Sequence, residues 1–194
     1  MTRSNEAANS RLVFEFPAWI DELVENPEAP PADDDSRMEL AIRLSRENIA
    51  RGGGPFGGVI FCEEKLLALG VNLVLATGQS IAHAEIIALM RAQSALGNDA
   101  IGKMPPLTLY ASTEPCCQCF GALIWAGVRR LVCGATTEDA ESVGFDEGPK
   151  PEHWAKVLEN RGISVTRSVR RDDAASVLRE YVARGGQIYG KPSA

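Results

Sequence analysis

Three of the five cysteines, Cys116, Cys117 and Cys119, fall within four consecutive positions of the 194-residue chain. An odd cysteine count with this crowding is poor geometry for a disulfide framework, and in a reducing compartment it points to metal binding or redox chemistry. Pro115 suits a first helical position because it has no backbone donor to leave unpaired, with Thr113 as the cap. On that helix Cys116 and Cys119 share one face and can grip one ion. Thiolates at a helix start also gain from the positive end of its dipole. A second helix start, His83-Ala84-Glu85, supplies an imidazole and an acid. The fold must bring these two helix starts together.

One imidazole and two thiolates leave a tetrahedral zinc ion with an open fourth position, the mark of a catalytic rather than a structural site. Zinc lowers the pKa of water at that position from about 15.7 towards ~7. A carboxylate must then move the proton, and Glu85 is the candidate. Residues two apart on a helix point away from each other, so His83 is expected to reach the ion from the cap side while Glu85 faces the pocket. The non-enzymatic alternative is a structural zinc protein, in which the metal only staples two helices. Structural sites close with four protein ligands, so three ligands beside an acid count against it. Cys117 reads as a spare thiol, Cys62 and Cys133 as core residues, and His153 as a surface residue.

Around these motifs the pattern alternates strands and helices. Ser36 to Glu39 opens a helix by a capping box, and Gly52-Gly53-Gly54 ends it. Strands are expected at 56–61, 65–71, 107–111, 130–133 and 163–169, and helices at 82–96, 115–126, 151–160 and 172–184. This is an α/β chain with a three-layer α/β/α arrangement. Residues 1–35 read as an acidic N-terminal extension whose apolar patch (Leu12, Val13, Phe14, Phe16, Trp19, Ile20) docks on the body, with a linker from Asn26 to Asp35. Residues 36–184 form the main domain and 185–194 a tail.

Residues 1–35 hold nine acids against Arg3 and Arg11, a balance of −7, which leaves the other 159 residues near +1. A near-neutral body without basic clusters argues against a nucleic-acid partner and for a small, weakly charged ligand. No run approaches the ~18 apolar residues that span a bilayer, and the N-terminus lacks a secretory pattern. A cytoplasmic location without membrane association is expected.

His-x-Glu followed by Pro-Cys-x-x-Cys resembles the signature of the zinc-dependent nucleobase and nucleoside deaminases. The resemblance extends to Gly53-Gly54-Pro55-Phe56-Gly57, Asn72, Thr113-Glu114-Pro115, the run from Phe120 to Val128, and Gly144-Phe145-Asp146-Glu147-Gly148-Pro149. It implies a cytidine deaminase-like fold with a mixed central sheet, and within that superfamily it is most similar to bacterial guanine deaminases, including those that also accept ammeline. The implied zinc ligands are His83, Cys116 and Cys119, one ion per subunit, with Glu85 as the main proton carrier and Glu147 as a second acid. Asn72, Phe56, Phe145 and the backbone of Ala84 are implied to contact a purine. The resemblance further implies a domain-swapped homodimer, in which Tyr189 reaches a partner's pocket. Guanosine, cytosine or tRNA adenosine deamination are the alternative activities.

Overall fold

Every predicted strand joins one sheet in the computed structural model, which describes residues 15–25, 32–97 and 104–189. The strands are β1 (Gly57–Cys62), β2 (Lys65–Val71), β3 (Leu107–Thr113), β4 (Val128–Ala135) and β5 (Ser164–Thr166), in the order β2-β1-β3-β4-β5. β1 runs antiparallel to both β2 and β3, whereas β3, β4 and β5 run parallel, so the sheet is mixed. The first pair closes through a two-residue turn at Glu63-Glu64. The parallel pairs need crossovers, and helices supply them.

Alternate residues of each strand face opposite layers. Val59, Phe61, Tyr110 and Val132 pack beneath helices α2 (Asp34–Ala50) and α8 (Arg171–Ala183). Ile60, Leu109, Leu131 and Cys133 face the other way, towards α4 (Ala84–Leu96), α5 (Cys117–Trp125) and α7 (Trp154–Glu159). The expected three-layer architecture is thus present. Short helices α1 (Ala18–Glu25), α3 (Val74–Thr77) and α6 (Thr137–Ser142) complete the described residues, and none of these three is anticipated by the sequence pattern.

Two boundaries differ from expectation for a stated reason. The α2 cap is Asp33, not Ser36: the Asp33 carboxylate accepts from the Ser36 amide at 2.8 Å, and Ser36 answers as the N3 side of the capping box. The acids at 33–35 are therefore a cap and first turn, stabilised by the helix dipole, rather than linker. Asp34 also accepts from Arg130 and from the Tyr110 hydroxyl at 2.8 Å, and the Arg130 hydrogen bond holds its carboxyl below the usual range. Likewise Thr113 ends β3 and Pro115 precedes α5, whose cap is Cys116. In the extension, Ile20 is fully buried and Phe16 and Trp19 pack on the core, as the docking expectation requires. Leu12, Val13, Phe14 and the 26–31 stretch of the expected linker lie outside the described residues.

α4 lies so close over β2 that a Cβ at Gly70 would overlap the Ala84 carbonyl and the Ala88 amide, both backbone atoms that cannot swing aside. Gly70→Ala is therefore expected to destabilise the fold by about 1–3 kcal/mol, the usual cost of overpacking. Urea unfolding reads this directly, and an unchanged midpoint would refute the contact.

Candidate active site

Two helix starts converge over one end of the sheet. His83 is the N-cap of α4, with φ −72° and ψ 155°, so it lies outside the helix and the two-apart rule does not apply to it. Glu85 sits in the first turn, and both side chains face one pocket. Cys116 is likewise the N-cap of α5, with Cys119 one turn on. A cap residue and the third helical residue are natural neighbours, which explains the spacing of the pair.

The donors fit a metal ion. His83 Nδ1 lies 3.3 Å from Cys116 Sγ and 3.6 Å from Cys119 Sγ, and all three donor atoms fall within 4.8 Å of one another. Zinc bonds of about 2.0–2.1 Å to nitrogen and 2.3 Å to sulfur make a tetrahedral N···S edge of roughly 3.5 Å. The group has three members, and His153 is exposed at the start of α7, outside it. Cys117 is half-buried on another face, with its Sγ against Gly148.

Charge is shared unevenly among the donors. A hydrogen bond from the Cys119 thiol, helped by His83, holds the Cys116 thiol down at about 4 against the cost of burial. The same hydrogen bond, with burial, pushes Cys119 up. Burial is the largest influence on His83 and opposes its protonation, but the hydrogen bond to Cys116 together with the charges of Glu85, Cys116 and Glu147 outweighs it and raises the imidazole. Burial, then the nearby Cys116 charge, raises the Glu85 carboxyl. The same two causes, opposed by Lys150, push Glu147 up to about 8. Two acids that resist ionisation thus face one donor cluster.

The recess above them holds about 430 Å³ including its mouth. Its apolar wall is a run of rings: Phe56 meets Phe145 edge-on at 4.9 Å, and Phe145 meets Tyr189 edge-on at 5.5 Å. Of the predicted residues, Phe56, His83, Glu85, Cys116, Phe145, Glu147 and Tyr189 line this recess. Tyr189 lines the recess from within the single chain described. Asn72 does not line this recess but a separate one beside Trp19, Asn48 and Arg51: it is buried, its Oδ1 accepts from the Val74 amide at 3.2 Å, and its Nδ2 has no partner. Ala84 does not line the recess, and its carbonyl lies over Gly58 and Gly70.

Glu114 and Asp146 also line the recess, and the sequence reading assigned neither a role. The signal for Glu114 was available, since an acid between a buried strand and the Pro-Cys turn must be paired. Its side chain is fully buried, with Arg167 Nε at 2.5 Å on one oxygen and the Thr137 amide and hydroxyl at 3.0 Å on the other.

Residues 31–135 match the cytidine and deoxycytidylate deaminase zinc-binding region. The guanine deaminase of Bacillus subtilis is 36% identical over 127 residues, covering 65% of this chain and 80% of that protein. A tRNA-specific adenosine deaminase of Buchnera aphidicola is 29% identical over 144 residues, covering 74% and 90%. The solved structure of a guanine deaminase from Nitrosomonas europaea superposes with a TM-score of 0.82 at 44% identity, covering 90% of this chain and 98% of that one. With the donor cluster, the adjacent acids and the mixed sheet all in place, the chain belongs to the cytidine and deoxycytidylate deaminase family of zinc-dependent hydrolases.

Proposed function

We propose that this chain is a guanine deaminase. Water adds its oxygen to C2 of guanine, the C2–N bond breaks, and xanthine and ammonia leave. The observation that carries this reading is the pair of buried acids, Glu85 and Glu147, on one aromatic recess beside the donor cluster. Replacing an amine on a ring carbon requires three proton movements: off the water, onto ring N3, and onto the departing amine. One carboxyl can shuttle the first two, and a second on the amine side serves the third.

His83, Cys116 and Cys119 would hold the zinc ion, which supplies acidification of water at its open position. Glu85 takes one water proton and returns it to N3; Glu147 gives its proton to the amine and recovers one from the C2 hydroxyl as the carbonyl forms and ammonia leaves. Phe56 and Phe145, edge-on to each other, make one apolar wall against which an aromatic base can pack, for which edge and stacked ring contacts are favourable. Asn72 Nδ2 and the Tyr189 hydroxyl are both buried without partners beside Gly54. Such atoms cost about 1–3 kcal/mol unless satisfied, and the polar edge of a purine can satisfy them. The relatives that share these motifs at the highest identities quoted above are guanine deaminases. The near-neutral body does not favour the tRNA substrate of the Buchnera relative.

Guanine, guanosine, cytosine and ammeline supplied separately, with ammonia release followed, test the reading. Guanine is expected to turn over fastest, with ammeline a second substrate. Guanosine is expected to react slowly because Tyr189 closes the recess where a ribose would extend. Rapid turnover of cytosine with none of guanine would overturn the assignment.

A further inference from the structure

Glu147 sits in a stretch without helix or strand, between the end of α6 at Ser142 and the start of α7 at Trp154. An acid that must deliver a proton needs its position fixed to a fraction of an ångström, and irregular backbone does not do this alone. Lys150, three residues on, is half-buried and turned back towards the metal-ligand turn. Its Nζ donates to the Pro115 carbonyl at 2.7 Å and to the Thr137 hydroxyl at 2.7 Å. The Cys117 amide donates to the Glu147 carbonyl at 2.8 Å. The two tethers therefore grip the residues on either side of Cys116.

We propose that Lys150 is a positioning residue: it clamps the Glu147 loop to the turn that carries Cys116, and so sets where the second acid stands against the substrate. This rests on the reading of Glu147 as a proton donor. The anchor is itself braced. The Thr137 hydroxyl donates a hydrogen bond to Glu114, whose other oxygen is held by Arg167 at 2.5 Å, and the Glu114 amide donates to the Ala135 carbonyl at the end of β4 at 2.8 Å. The chain of contacts runs from the sheet, through a fully buried carboxylate, to the ammonium and the acid's own loop. A lysine that served only solubility would not spend its ammonium on a backbone carbonyl and a partly buried hydroxyl.

The experiment is a double-mutant cycle in the zinc-loaded, full-length protein, with zinc content and circular dichroism measured on each variant. Lys150→Met keeps the side-chain length and removes the donors. It is expected to lower kcat roughly tenfold with KM changed less than about twofold, as misplacement of a catalytic group does. Lys150→Arg is expected to restore most of the loss. In the Glu147→Gln background, Lys150→Met is expected to add almost nothing, because its target is already gone. Should Lys150→Met fail to fold, Thr137→Val removes one of its two anchors and is expected to show a smaller loss with the same dependence on Glu147. An unimpaired Lys150→Met enzyme, or losses that simply multiply with those of Glu147→Gln, would overturn the proposal. An unimpaired Glu147→Gln enzyme would instead reject the role of Glu147 itself.

Discussion

Glu85→Gln is expected to keep its zinc and lose deamination by a factor of about 10² to 10⁴, the usual worth of a well-placed proton carrier. The substitution is close to isosteric and Glu85 is only 8% exposed, so the first turn of α4 has no steric reason to move. Only the ability to accept and return a proton disappears. Steady-state kinetics with guanine and metal analysis on the same sample separate the outcomes. Full activity with zinc bound would eliminate Glu85 as the carrier, and loss of zinc together with activity would make it a structural support of the site instead.

Removal of the metal is expected to have the largest effect of all. Chelation should take the protein from one zinc per chain to none and abolish turnover, with recovery on adding zinc back. His83→Ala should not recover, since two thiolates alone lack the third donor found at this site. A readout independent of activity follows from the geometry, because His83 belongs to the start of α4 and Cys116 and Cys119 to the start of α5. An ion bound there ties the starts of the two helices together. With free zinc at 1,000 times its dissociation constant, linkage adds about 4 kcal/mol. For a chain of this size that is on the order of 10 °C in the melting temperature. Identical melting with and without zinc would contradict the staple.

Much of this was legible in the sequence because the informative signals are local. The ligand set at the two helix starts follows from residue type and spacing, although the α5 cap is Cys116 and not the expected Thr113, and the strands follow from apolar runs bounded by glycine and acid pairs. The misread start of α2 has a local cause: Asp33 competes with Ser36 for the same cap, and the better-placed carboxylate wins. Three short helices escaped because four to eight residues give too little periodicity to detect. The Glu114–Thr137–Lys150 linkage joins residues 13 to 23 positions apart across loops, and no pattern along the chain reports it.

The recess draws its parts from distant stretches of the chain: its donors from 83, 116 and 119, its second acid from 147 and its last wall from Tyr189. A domain folds as a unit, so this doorway is framed only when the final described residue has taken its place, and a chain cut short of Tyr189 would carry its donors beside an open entrance.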